Sequence, residues 1–125
     1  MRIFLDANNL FSAAKSAGAV RRLLDLLLDG GHECWVDGFV VSEARRNLEL
    51  KAPSGLAMLD SLLERLEVAP LQAVDPDLES TLPLPEKDRP VLAAAIRHAC
   101  EALVTGDRTH FGALYGRSIQ GVGIY

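Results

Sequence analysis

The chain has 125 residues, 49% of them hydrophobic and 24% charged, with a formal net charge of −4. That length suits one domain with its own core over residues 1–125. The acidic balance excludes a protein that coats nucleic acid by neutralising phosphates, because such proteins are basic.

Two cysteines are too few for a disulfide framework or a zinc site. Cys34 and Cys100 lie in the apolar stretches HECWV and RHACEALV and read as small core residues. No apolar run reaches the roughly 18 residues of a membrane span, and the N-terminus lacks the anatomy of a signal peptide. The chain reads as cytoplasmic.

The opening MRIFLDANNLFSAA predicts a short buried strand over 2–5, where Ile3, Phe4 and Leu5 run straight into Asp6. A helix is expected over 9–16, and a second over VRRLLDLLLDGG, where Val20, Leu23, Leu24, Leu27 and Leu28 recur at helical spacing before Gly30-Gly31. ECWV reads as the second strand and Asp37-Gly38 as a turn, followed by a helix over 39–50. Pro53-Ser54-Gly55 breaks that helix, SGLAMLDSLLERL forms the next, and LEVAP is the third strand. Residues 71–87, with Pro76, Pro83 and Pro85 among acidic residues, read as a loop with room for a short helix. KDRPVLAAAIRHACEA is a helix with Asp88 as N-cap and Pro90 in its first turn. ALVT is a strand, DRTHFGAL a short helix and VGIY a last strand.

Strands alternating with helices imply an α/β fold with a parallel sheet covered on both faces. In such sheets ligands gather beyond the C-terminal ends of the strands. Asp6 and Asp107 each stand just past a strand, and neighbouring strands lie about 4.8 Å apart. Each also begins a helix, so each is equally placed to act as an N-cap. Glu43 and Asn47 lie beside the inward stripe Val40, Ala44 and Leu48, where a carboxylate and an amide need partners. Asp88 heads the buried stripe of its helix, again with capping as the alternative. Capping and metal ligation are compatible, since a carboxylate has two oxygens. Four converging carboxylates repel unless a cation joins them, and oxygen ligands favour Mg²⁺ or Mn²⁺.

The succession FLDANNLFSA, SEARRNL and KDRPVLAAAIRHACEALVTGDRTHF resembles the PIN-domain ribonucleases, in particular VapC-like toxins of bacterial toxin–antitoxin pairs. The resemblance implies a three-layer α/β/α fold and Mg²⁺- or Mn²⁺-dependent endonuclease activity on RNA. It also implies a small antitoxin partner and a homodimer. Carried over by position, the family's acidic residues fall on Asp6, Glu43, Asp88 and Asp107. Thr105 matches the family's hydroxyl residue, and Asn8 and Asn47 are plausible supporting donors. Ala7 stands where many relatives have Thr or Ser, and His110 where some carry a further acid.

Lys87, Arg89 and Arg108 flank Asp88 and Asp107 and are the candidates to contact an RNA backbone. His110 reads either as a general base near pH 7 or as a packed or surface histidine. Trp35 and Phe39 fit the core better than a base-stacking platform. Two other function classes compete with the nuclease. One is a non-catalytic PIN-like module that binds RNA or protein. The other is a small-molecule phosphohydrolase with Asp6 as phosphoryl acceptor, for which Asn8 stands where a second Asp is usual.

Overall fold

Strand β1 (Arg2–Leu5) occupies the middle of a six-stranded sheet, with β2 (Glu33–Asp37) and β3 (Glu67–Ala69) on one side. On the other side lie β4 (Ala102–Val104), β6 (Val122–Ile124) and β5 (Ser118–Ile119), giving the order β3-β2-β1-β4-β6-β5. All pairings are parallel except that of β5 with β6. A central strand in such a sheet is covered on both faces. Accordingly Ile3, Phe4 and Leu5 are all buried, which is why their run is continuous rather than alternating. The computed structural model describes residues 1–72 and 75–125; part of the loop expected over 71–87 therefore lies outside the described residues.

Helices α1 (Ala7–Lys15) and α2 (Ala19–Asp29) connect β1 to β2, and α3 (Gly38–Lys51) and α4 (Leu56–Leu63) connect β2 to β3. Between β3 and β4 come α5 (Pro76–Ser80) and α6 (Arg89–Arg97). A short helix, α7 (Arg108–Phe111), follows β4. Right-handed crossovers put α1–α4 on one face and α5–α6 on the other. In agreement, α1 packs against α2, α3 and α4. The expected α/β architecture, a largely parallel sheet flanked by helices, is observed. Among the described residues no helix is long and apolar enough to cross a membrane.

The inward face of α3 is Val40, Ala44 and Leu48, as the four-residue spacing predicts. The second helix departs from its reading. Only Leu24 of α2 is fully buried, and Leu23 is 43% exposed. The helix presents a narrower stripe to α1 and β2 than its leucine content suggests.

Helix α6 also ends sooner than the expected residue 102. The chain turns at Ala99, whose φ of 54° is left-handed. There the Cys100 N–H donates to Ala95 O at 2.9 Å and the Ala99 N–H to Ile96 O at 3.1 Å. This closure usually employs Gly or Asn, and an alanine gives no sign of it in the sequence. Strand β5 was likewise not expected. It is joined to β6 by Gln120 and Gly121, both at positive φ, a two-residue turn for which Asn-Gly is the recognisable signal.

The left-handed Ala99 yields a stability prediction. It is exposed and has no packing to lose, while the conformation costs an alanine about 1–2 kcal/mol. Glycine gives part of that back through unfolded-state entropy. Ala99→Gly should therefore raise stability by about 0.5–1 kcal/mol, read as a higher urea midpoint at unchanged slope. An unchanged or lower midpoint would refute the assignment of strain.

Candidate active site

The chain leaves β1 in one direction to build β2 and β3, then crosses back to place β4 on the opposite side of β1. Where strand order reverses, the flanking helices diverge and leave a crevice beyond the C-terminal strand ends. Leu5 pairs with Val104 at those ends, so Asp6 and Thr105 emerge side by side. Asp107 follows two residues later. Glu43 arrives on α3 from one face, and Asp88 from the other, at the end of a 3₁₀ turn, Glu86–Asp88. All four acids line one cleft of about 300 Å³, together with Asn8, Lys87 and His110. Its apolar wall is Ala7, Phe39, Val91 and Phe111.

Asp6 and Asp107 do cap helices, yet each does so with only one oxygen. Asp6 Oδ1 accepts the Asn9 N–H at 3.0 Å, and Asp107 Oδ1 accepts the His110 N–H at 3.1 Å. The Thr105 hydroxyl donates to Asp6 Oδ2, and Thr105 Oγ1 accepts the Asp107 N–H at 3.1 Å. Thr105 thus links the two strand-end acids through one side chain. The buried Asn9 adds a second tie, its amide donating to the Val104 carbonyl and fixing α1 to β4.

The two acids experience opposite electrostatics. Burial, with the Asp107 charge adding to it, holds Asp6 above the usual carboxylate pKa despite hydrogen bonds from Thr105, Asn9 and Asn8. Burial pushes Asp107 upward too. There, however, hydrogen bonds from the His110 backbone and ring, the His110 charge and the Thr109 N–H outweigh it and leave the carboxyl low. Ionised Asp6 therefore costs stability, and that cost disappears as pH falls through its folded-state value. Ionised Asp107 contributes stability, which is lost as pH falls.

Asp88 does not act as the side-chain cap that the sequence suggests. Its backbone is helical (φ −98°, ψ −12°) and its carboxylate makes no capping hydrogen bond. The physical reason is that backbone: Asp88 already ends a 3₁₀ turn, whereas the Asp6 and Asp37 caps are extended, the conformation that usually aims an N-cap side chain back at the helix N–H groups. Asp88 Oδ2 lies 3.1 Å from His110 Nδ1, but that nitrogen's hydrogen bond goes to Asp107 Oδ2 at 2.8 Å. Asp88 Oδ2 is left sealed from solvent without a hydrogen-bond donor.

The remaining candidates divide. Lys87 and Asn8 reach the cleft, both solvent-exposed. Asn47 is half-buried one turn beyond Glu43, outside the cleft lining. Arg89 is turned to the protein itself, its Nε donating to Leu84 O at 2.8 Å. Arg108 is exposed beside Asp107 and does not line the cleft. Of the aromatics, Phe39 lines the cleft while Trp35 stacks on His98 at 5.5 Å between ring centroids. Asn9 is the residue that sequence reasoning left without a place in the site, and His110, read as a general base or a packed or surface histidine at a position where some relatives carry an acid, faces both Asp88 and Asp107. Asn9 had a signal in its nearness to Asp6; for His110 the three-residue step from Asp107 was a signal, but its contact with Asp88 had none.

The donor set fits a divalent cation. Ligand atoms of Asp88, Asp107 and His110 lie within 4.8 Å of one another, and the buried, undonated Asp88 oxygen is what a cation would satisfy. Asp6 and Glu43 line the same cleft and add two further carboxylates.

A fold likeness to solved structures accompanies this geometry. Over its full length the chain matches 98% of a chain in the crystal structure of VapBC2 from Rickettsia felis bound to a DNA fragment from their promoter, at TM-score 0.72 and 20% identity. A chain of FitAB bound to the IR36 DNA fragment matches at TM-score 0.63 and 18% identity, covering 98% of this chain and 93% of that one. VapC20 from Mycobacterium tuberculosis, a toxin that cleaves the sarcin–ricin loop, matches at TM-score 0.58 and 16% identity, covering 89% and 93%. No curated protein sequence matches the chain. The PIN domain family matches residues 2–109, which hold strands β1–β4 and every acid of the cleft, and the chain belongs to that family.

Proposed function

We propose that the 125-residue chain forms a single nuclease domain, a metal-dependent endoribonuclease that serves as the toxin of a toxin–antitoxin pair. The observation behind this reading is the convergence of Asp6, Glu43, Asp88 and Asp107 on one cleft at the C-terminal edge of the sheet. In it these four are the catalytic carboxylates and the ligands of Mg²⁺ or Mn²⁺. The bound metal would activate a water and polarise the scissile phosphate.

The protein's own groups do the positioning. Thr105 and the Asn9 N–H hold the Asp6 carboxylate in one orientation. Lys87 on the cleft wall and Arg108 beside it contact the RNA backbone, whereas Arg89 braces the turn that delivers Asp88. Asn8 and Asn47 supply polar support around Asp6 and Glu43. The cleft carries more negative than positive side chains and the whole chain is at −4, so phosphate is repelled until cations are bound. Asp6 is a poor phosphoryl acceptor, because it is 6% exposed and both of its oxygens already accept hydrogen bonds. That disfavours a phosphohydrolase.

RNA as substrate is supported by the family and by the sarcin–ricin loop cleavage of VapC20. A small antitoxin partner is supported by the VapC-like resemblance and by the likeness to VapBC2 and FitAB; a homodimer is supported by the resemblance alone.

Purified protein should cleave a mixed RNA pool in Mg²⁺ or Mn²⁺, with EDTA abolishing both binding and cleavage. Asp6→Asn and Asp107→Asn should each lower cleavage by at least about a hundredfold. A folded wild type that neither binds Mn²⁺ nor cuts RNA would favour the binding module.

A second outcome separates the Asp6 charge from the fold. In EDTA at neutral pH, Asp6→Asn should melt higher than wild type, because it removes a buried charge while keeping the acceptor for Asn9. That difference should vanish below pH 3.8, the ordinary carboxyl value. A lower melting temperature at neutral pH would show that ionised Asp6 stabilises the metal-free fold.

A further inference from the structure

The reading above gives His110 no task, yet its ring is the group that faces both Asp88 and Asp107. Nδ1 is 2.8 Å from Asp107 Oδ2 and 3.1 Å from Asp88 Oδ2. One N–H serves one acceptor, so the arrangement leaves Asp88 Oδ2 buried and undonated. With the proton on Nε2 instead, a nitrogen lone pair and two carboxylate oxygens converge with no donor among them. Such a trio is stable around a cation and unfavourable without one.

The spacing suits a shared ion. Two ligands about 2.1 Å from an octahedral ion stand about 3.0 Å apart, and the two nitrogen–oxygen separations fall on either side of that value. The three side chains are 16–27% exposed, leaving a way in for the metal and for bound water.

We propose that His110 Nδ1 is a direct metal ligand, so that the cleft offers nitrogen as well as oxygen and takes a first-row transition ion such as Mn²⁺ in preference to Mg²⁺. The chemistry follows from ligand softness. Mg²⁺ is held by carboxylates and water and gains little from imidazole, whereas transition ions gain from it. The inference rests on the metal site proposed above and goes beyond it in naming a ligand and a selectivity.

The test is pulsed electron paramagnetic resonance of the full chain loaded with Mn²⁺, beside calorimetric titration of Mn²⁺ and Mg²⁺. Wild type should show ¹⁴N coupling of a directly bound imidazole, unchanged in His98→Gln and absent in His110→Asp. The preference for Mn²⁺ over Mg²⁺ should fall by on the order of tenfold in His110→Asp. His110→Gln serves as a second variant, and the wild-type spectrum decides the point even if neither variant folds. Bound Mn²⁺ without nitrogen coupling would overturn the role of His110 and leave the carboxylate site standing. Coupling that persists in both His110 variants would overturn it as well. Failure of Mn²⁺ to bind wild type at all would overturn the metal site together with this inference.

Discussion

Asp6 is a carboxylate 6% exposed to solvent at the end of a strand whose last three residues, Ile3, Phe4 and Leu5, are apolar and buried. A charge in that position is unfavourable unless hydrogen bonds and a counter-charge meet it. Hydrogen bonds come from the protein, from the Asn9 and Asn8 N–H groups and the Thr105 hydroxyl. Thr105 can donate only because β4 is the neighbour of β1, so the need of one side chain is met by the topology of the whole sheet. The counter-charge is what the surrounding residues leave to be supplied.

That constraint explains why the elements around the cleft have their sequences. The alanine-rich face of α6 lies close to the sheet, with Val91, Leu92, Ala93, Ala94 and Ala95 all buried. Its closeness brings the Glu86–Asp88 turn to the strand ends. Asp37 performs the same capping task as Asp6 one strand over, accepting the Val40 N–H at 2.9 Å and setting the start of α3. Glu43 therefore enters the cleft from a helix whose origin is fixed by a buried cap. The site is assembled from opposite faces of the sheet, and its acids are held by the fold before any ligand arrives. Such preorganisation has an energetic cost, mainly the burial of the Asp6 charge with repulsion from Asp107 adding to it, visible in the raised Asp6 pKa.

The legible parts of the sequence were those governed by local rules. The unbroken run Ile3-Phe4-Leu5 marks a strand covered on both faces, and Asp6 and Asp107 stand where strand meets helix. Val40, Ala44 and Leu48 mark the face of α3 and with it the placement of Glu43. Asp88 was recognised for its position but with the wrong local role, because the 3₁₀ turn that makes its own backbone helical appears only once the turn is built. The early end of α6 depends on an alanine held left-handed, and the β5–β6 hairpin on a Gln-Gly turn. Neither carries the residue that usually announces it. The ring of His110 meets Asp88 across 22 positions of sequence. Only the turn of α7 back over the cleft makes that contact, and no spacing rule reaches it.

The account's central claim is that the converging acids form a cation site. The most direct measurement is an anomalous difference map from crystals of the full chain soaked in Mn²⁺, collected above and below the manganese edge. The claim predicts a manganese peak in the cleft within coordination distance of carboxylate oxygens of Asp88 and Asp107. Well-ordered acids around a cleft with no peak, at Mn²⁺ concentrations that saturate known Mn²⁺-binding proteins, would contradict it.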